Sequence, residues 1–131
     1  MAHNIDRYAV FGNPVAHSKS PQIHTLFAEQ TNQSLNYTAE LAEIGQFDAA
    51  VKNFIKNNGK GLNITVPFKE DAWQCATKRS QRAQRARAVN TLMLQQDGCL
   101  YGDTTDGVGF VRDLMTKHGV EIINKRVLVI D

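Results

Sequence analysis

The sequence predicts an α/β domain, a three-layer α/β/α sandwich around a mostly parallel sheet of five to six strands. Short apolar segments rich in β-branched residues alternate with segments whose apolar residues recur every three or four positions. These two periods indicate strands and helices in turn, and their alternation favours a parallel sheet covered by helices. Hydrophobic residues are 42% and charged residues 21% of the 131 positions, as expected for one soluble domain with a real core.

The first unit is a strand at residues 8–12, a loop, and a helix that begins at Pro21. Ser20 is a candidate N-cap, since Pro is favoured at the next position. The residues predicted to form the buried face of this helix are Ile23, Leu26 and Phe27. Ser18 and Ser20, with the amides of the helix start, could hold a carboxylate or phosphate. The alternative is that Ser20 only caps the helix and Ser18 only makes a turn.

The second unit has a strand at residues 36–41 and an amphipathic helix at residues 47–58. A buried strand follows at residues 62–66, and Pro67 ends it and is predicted to open the next helix. Lys69 lies in the first turn of that helix, just past the carboxyl end of a strand. Ligands bind at such ends in parallel sheets, so Lys69 could serve as an acid/base group. The alternative is a solvated lysine.

Residues 73–87 are predicted to form one helix whose second half is basic. Residues 78–87 read KRSQRAQRAR, with five basic residues and no acidic one. Lys78, Arg82 and Arg85 would share a helix face, which is either a solvated surface or a site for an anionic partner such as nucleic acid. No known nucleic-acid motif accompanies this run, so we do not expect nucleic acid as a partner.

A hairpin is predicted from a strand at residues 88–94 and a returning strand at residues 99–104. Asn90 is polar within an apolar strand, so it should be hydrogen-bonded or face a ligand. Asp106 precedes a helix and is either its cap or a reactive group. Gly107 and Gly109 lack the third glycine of a dinucleotide fingerprint.

Several classes of function find no support in the sequence. The net charge of +2 gives no global case for nucleic acid or membrane binding. No stretch predicts a signal peptide or a membrane span. Cys75 and Cys99 have no metal or redox spacing and the histidines form no ligand set, so we expect no metal and a reduced, cytoplasmic protein.

Four motifs in order resemble the N-terminal, substrate-binding half of shikimate dehydrogenase. They are YAVFGNPVAHSKSPQIH at residues 8–24, NITVPFKE at 63–70, AVNTL at 88–92 and GDTTDGVGF at 102–110. The family reduces 3-dehydroshikimate to shikimate with NADPH, on the chorismate route to the aromatic amino acids. The resemblance covers nearly the whole chain.

The resemblance implies a role for each matching residue. Ser18 and Ser20 would hold the substrate carboxylate, and Thr65, Asn90 and Asp106 would bind ring hydroxyls. Lys69 and Asp106 would form the catalytic pair, because a lysine beside a carboxylate stays charged and can exchange a proton with a bound hydroxyl. The hydride would come from NADP(H), the cofactor of the family.

The chain departs from the family in ways that bear on its activity. We expect residues 1–106 to be the substrate-binding catalytic domain. Residues 107–131 would be a linker helix and the first strand, residues 127–130, of an NADP-binding domain that is absent here. No residue of the chain is therefore predicted to bind the cofactor, and the chain alone is expected to be inactive. The strand at 127–130 would be disordered or would pair with another copy, giving a homodimer, or with the domain's own edge.

Two other functions are compatible with the sequence. A non-catalytic module that binds shikimate- or quinate-like ring acids would use the same residues without a nucleotide domain. A polyanion-binding protein would instead use the basic residues 78–87, and its binding would depend on salt.

Overall fold

The computed structural model describes residues 5–130, which form six strands and five helices. In chain order these are β1 (Asp6–Gly12), α1 (Ser20–Gln30), β2 (Leu35–Leu41), α2 (Phe47–Lys56), β3 (Gly59–Ile64), α3 (Lys69–Cys75), β4 (Lys78–Arg79), α4 (Gln81–Ala86), β5 (Thr91–Leu94), β6 (Leu100–Asp103) and α5 (Asp106–Thr116). The predicted alternation of strands and helices through α3 is confirmed.

One mixed sheet contains all six strands in the order β2-β1-β3-β5-β6-β4. β1 pairs in parallel with β2 and β3, and β4 pairs in parallel with β6. β5 is antiparallel to both β3 and β6. The carboxyl ends of β1, β3 and β6 and the amino end of β5 therefore meet at one edge of the sheet.

Helices lie on both faces of the sheet, which confirms the three-layer sandwich. Ala9 and Phe11 of β1 point into the main core, where Phe47 of α2 and Phe68 before α3 are also buried. The Phe47 and Phe68 rings stack with centroids 5.0 Å apart. Val10 alternates to the other face and packs in a smaller cluster with Tyr37, on the side covered by α1.

The predicted buried face of α1 is wrong. Ile23, Leu26 and Phe27 are 44%, 56% and 55% exposed. The helix instead rests on the sheet through Ala28, which is buried, and His24, whose ring stacks on Tyr37 at 4.2 Å. His24 and Ala28 are four positions apart, so they lie on one side of the helix, and that side faces the sheet.

The single helix predicted for residues 73–87 is also wrong. Ala76 is extended and ends α3, and β4 then adds a short strand to β6. Ser80 caps α4, because its side chain accepts a hydrogen bond from the Ala83 amide at 3.1 Å. Lys78 lies in β4, so it does not share a helix face with Arg82 and Arg85.

Other differences concern where elements begin and end. The strand predicted at residues 62–66 ends at Ile64, and the strand predicted at residues 88–94 begins at Thr91. Pro67 does not open α3, which begins at Lys69 after Phe68. Residues 127–130, predicted to be the first strand of a further domain and to be disordered or paired elsewhere without it, have no regular secondary structure and are 65–84% exposed. A strand needs a hydrogen-bonding neighbour, and this segment has none among residues 5–130. Within the same residues, no helix has the length and apolar character needed to cross a membrane.

Candidate functional site

The fold gathers the predicted site residues at the edge of the sheet described above. Ser18 follows β1, Thr65 and Lys69 follow β3, Asn90 precedes β5, and Asp106 follows β6. Ser20 opens α1 at the same end. These residues are distant in sequence, and the order of the strands brings them together.

Lys69 and Asp106 are in direct contact. The Lys69 ammonium Nζ lies 2.5 Å from Asp106 Oδ2, and the two side chains are 33% and 54% exposed. Lys69 is the first residue of α3, which is anchored through the fully buried Phe68. Asp106 is the first residue of α5, and its carboxylate does not cap that helix, whose N-cap is Thr105. Asp106 is therefore not the cap of α5, and its carboxylate is paired with Lys69 instead.

Asn90 fixes the second oxygen of the Asp106 carboxylate. Its Nδ2 donates to Asp106 Oδ1 and to Thr105 Oγ1, both at 2.8 Å. Its Oδ1 accepts from the Thr91 hydroxyl at 2.9 Å and from the Thr105 amide at 3.1 Å. The predicted hydrogen bonding of this polar residue is confirmed, and these partners assign a single orientation to its amide group.

The pKa of Asp106 reflects opposing causes. Partial burial raises it, whereas hydrogen bonds from Lys69 and Asn90 and the Lys69 charge lower it, and the net result is a lowered pKa. Asp106 is therefore ionised at neutral pH beside a lysine that can donate a proton.

Ser18 and Ser20 form a small polar turn ahead of α1. The Ser20 amide donates to Ser18 Oγ at 3.3 Å, and the N-cap is Lys19 rather than the predicted Ser20. Both serines are partly exposed. Among the described residues, no hydrogen bond joins either serine to Lys69 or Asp106.

Thr65 is held by its backbone and leaves its hydroxyl available. Its amide donates to the Phe11 carbonyl at 2.9 Å, and its carbonyl accepts from the Phe68 amide at 3.1 Å. Among residues 5–130 its hydroxyl has no hydrogen-bond partner. Its methyl group packs against Gly12, where a Cβ would come within 2.5 Å of Thr65 Cγ2.

Asn63 is part of this polar network and had no role in the sequence analysis. Its Oδ1 accepts from the Tyr37 hydroxyl at 2.7 Å, and its Nδ2 donates to Thr91 Oγ1 at 3.2 Å and to the Asn90 carbonyl at 3.4 Å. An adjoining cavity of about 350 Å³ is lined by Tyr37, Asn63 and Thr91 with the aromatic side chains of Tyr8 and His24. The sequence signal that could have identified Asn63 is an amide side chain within an apolar strand, which is the same signal that identified Asn90.

The described residues offer no metal site and do not fit the family's cofactor. No group of three or more His, Cys, Asp or Glu residues among them could hold a metal ion. A dinucleotide fingerprint uses glycines where the backbone approaches the pyrophosphate closely. A Cβ at Gly107 or Gly109 would meet nothing within 4 Å, and the nearby Asp106 carboxylate disfavours an anion at the start of α5.

The sequence model of the shikimate dehydrogenase substrate binding domain matches residues 10–92. The chain is 58% identical over 130 residues to a shikimate dehydrogenase (NADP(+)) of Vibrio campbellii, and 55% identical over 125 residues to one of Nitrosococcus oceani. These matches cover 99% and 95% of the chain but 47% and 44% of the relatives. The chain therefore spans about half the length of the curated relatives that it matches.

Solved structures of related proteins have the same fold as this chain. An Ael1 enzyme from Pseudomonas putida is 47% identical with a TM-score of 0.83, covering 87% of this chain and 42% of that one. Shikimate 5-dehydrogenase from Thermus thermophilus, solved in complex with NADP(H) and shikimate, is 35% identical with a TM-score of 0.80, covering 89% and 44%. The family predicted from four motifs is confirmed: this chain belongs to the shikimate dehydrogenase family, of which it carries the substrate-binding domain.

Proposed function

We propose that this chain binds shikimate and 3-dehydroshikimate as the substrate-binding part of an NADP-dependent shikimate dehydrogenase. The observation that carries the proposal is the Lys69–Asp106 pair, with Asn90 on the free carboxylate oxygen, at the edge of the sheet where ligands bind in such folds. The relatives named above support the choice of substrate.

The proposed roles follow from the chemistry of the two ends of the site. Ser18 and Ser20 receive the ring carboxylate beside the start of α1, where amides and a helix dipole favour an anion. Thr65, Asn90 and Asp106 bind the ring hydroxyls at the other end. Lys69 holds a proton at Nζ and delivers it to the carbonyl oxygen of 3-dehydroshikimate as that carbonyl is reduced. In a complete enzyme NADPH would supply the hydride, and the described residues provide no site for it.

Calorimetric titration with shikimate tests this function, using Lys69→Ala and Asp106→Asn. Each removes a hydrogen bond involving a charged group, so affinity is expected to fall about tenfold or more. Lys78 and Asp97 form a second exposed ion pair, at 2.9 Å, away from the proposed site. Lys78→Ala and Asp97→Asn are therefore matched controls and should bind as the parent does. Parent binding that is unchanged in Lys69→Ala would contradict the assigned site.

We also expect that the isolated 131-residue chain does not catalyse the reduction of 3-dehydroshikimate. Because nothing in its described residues fits a dinucleotide, we expect no consumption of NADPH with 3-dehydroshikimate. Steady oxidation of NADPH by the purified chain, absent in Lys69→Ala, would overturn this expectation.

The alternative use of the basic residues 78–87 finds little support in their contacts. Arg82 is paired with Asp103, Lys78 with Asp97, and Arg79 lies over the Trp73 ring at 4.2 Å. Three of the five basic side chains thus have partners within the fold. A module for ring acids alone would share the substrate site proposed here, and it is distinguished by whether the complete protein oxidises NADPH.

Two further parts of the proposal concern the setting of the protein. Free thiols at Cys75 and Cys99 support a reducing, cytoplasmic compartment. The apolar residues 127–130, which are 65–84% exposed, support self-association into a homodimer. Sedimentation of the parent and of Val129→Asp tests this, since a dimer through this segment would dissociate in the variant, and equal sedimentation would contradict it.

A further inference from the structure

Four hydrogen bonds join Tyr37 to Asp106 across the sheet face. Tyr37 donates to Asn63, Asn63 donates to Thr91, Thr91 donates to Asn90, and Asn90 donates to Asp106, at 2.7, 3.2, 2.9 and 2.8 Å. All four hydrogen bonds are between side chains, and none belongs to the backbone hydrogen bonding of the sheet.

The direction of each bond is fixed by the chemistry of its members. A carboxylate only accepts, so Asn90 must present Nδ2 to Asp106 and Oδ1 to Thr91. The Thr91 hydroxyl has one proton, which goes to Asn90, and its oxygen therefore accepts from Asn63 Nδ2. Asn63 then presents Oδ1 to Tyr37, which supplies the remaining proton. All four hydrogen bonds are therefore donated in the same direction, from Tyr37 towards the Asp106 carboxylate.

Tyr37 is suited to be the terminal donor of this chain. The residue is 8% exposed, and its ring stacks on that of His24. Burial raises its pKa to about 12, with a smaller opposing contribution from Ser20. The phenol therefore keeps its proton at every physiological pH, and the same residue lies beside a serine of the proposed carboxylate site.

We propose that Tyr37 and Thr91 are positioning residues that hold Asn63 and Asn90 in one amide orientation and thereby hold the Asp106 carboxylate in place beside Lys69. Hydrogen bonds that run in one direction polarise each other, so each donor strengthens the next. The proposal deepens the proposed function, since it bears on substrate only if Asp106 contacts the ligand. Among the described residues, the charged group facing Asp106 is Lys69 of α3, and its other neighbours, Asn90 and Thr105, are neutral.

The test is a carboxyl carbon NMR titration of Asp106 in the ligand-free chain. In Tyr37→Phe the pKa of Asp106 should rise, and the side-chain amide resonances of Asn63 and Asn90 should shift. Tyr8→Phe is the matched control, because Tyr8 lines the same cavity, and its hydroxyl makes no hydrogen bond among residues 5–130. It should leave both readouts at the parent values.

A second pair of variants guards against a general loss of packing. Thr91→Val removes the middle link and should raise the pKa of Asp106 further, because Thr91 contacts Asn90 directly. Thr91→Ser keeps the hydroxyl and should restore the parent value. An Asp106 pKa that is the same in Tyr37→Phe, Thr91→Val and the parent would overturn the proposal.

Shikimate binding separates this inference from the function on which it rests. If the parent protein binds no shikimate but the pKa of Asp106 changes in the variants as expected, the positioning role of Tyr37 and Thr91 is supported and the substrate assignment is contradicted. If shikimate binds through Lys69 but the pKa of Asp106 is the same in the variants and the parent, the proposed function is supported and the positioning role is contradicted. In the favourable case, affinity in Tyr37→Phe should fall about threefold to tenfold, the usual effect of one lost hydrogen bond.

Discussion

Gly12→Ala tests how the end of β1 shapes the proposed site. A Cβ at Gly12 would lie 2.5 Å from Thr65 Cγ2, 3.3 Å from the Val66 carbonyl oxygen and 3.4 Å from Val15 Cβ. The first distance is about 1 Å shorter than an ordinary carbon–carbon contact. Thr65 must therefore rotate or move, and its χ1 angle is stiff because it is β-branched.

The expected cost follows from overpacking. Added methyl groups in a packed site cost about 1–3 kcal/mol, and replacing glycine offsets about 0.4–1 kcal/mol through the unfolded chain. We expect a net loss of about 1–2 kcal/mol in the free energy of unfolding. If Thr65 rotates instead, its hydroxyl leaves the site, and shikimate affinity should fall about threefold to tenfold.

Gly109→Ala is the matched control for urea unfolding and shikimate titration. Gly109 lies inside α5, and a Cβ there meets nothing within 4 Å. Alanine is the better helix former, so this variant should gain about 0.5–1 kcal/mol. A Gly12→Ala chain with the stability and shikimate affinity of the parent would refute the packing of Gly12 against Thr65.

Two further predictions concern the pH dependence of stability and reactivity. The hydrogen bond from Arg82, with those from Ser80 and the Thr104 amide, holds the pKa of Asp103 well below its usual range. The stability from Asp103 is thus complete above about pH 3.9, the unfolded value, and is lost as pH falls towards the folded value. Asp103→Asn should lower the free energy of unfolding in urea by about 1 kcal/mol at pH 7 and by less at pH 3, and an equal difference at both would contradict this. Burial raises the pKa of the Cys75 thiol to about 11. In the variant Cys99→Ser, where Cys75 is the remaining thiol, it should therefore react with a disulfide reagent at pH 8 about tenfold more slowly than a small-molecule thiol. Equal rates would contradict the burial of Cys75.

The local patterns predicted the strands and the edge on which the site lies. Leu62 and Ile64 are buried in β3 as their β-propensity predicted, and Lys69 then follows a strand end. Lys69 and Asp106 are 37 positions apart, and their contact depends on β5 being antiparallel between β3 and β6. No local pattern encodes that order, so the family resemblance supplied the pair.

The errors arise where tertiary contacts override local preference. Lys, Arg, Gln and Ala favour helix in residues 73–87, yet β4 pairs with β6 and Ser80 starts a new helix. In α1 the apolar pattern pointed to Phe27, whereas stacking on Tyr37 selected His24. A histidine ring packs like an aromatic residue, which a count of apolar residues does not capture. Tyr37 itself was missed because its partner Asn63 lies on another strand.

We propose that this chain recognises shikimate at the edge formed by Ser18, Thr65, Lys69 and Asp106. The most direct measurement is an NMR titration of the labelled chain with shikimate, following backbone amides beside a Lys69→Ala control. We expect shifts that cluster at these four residues and weaken in the control. An absence of shifts at millimolar shikimate, or shifts confined to another face of the sheet, would contradict the claim.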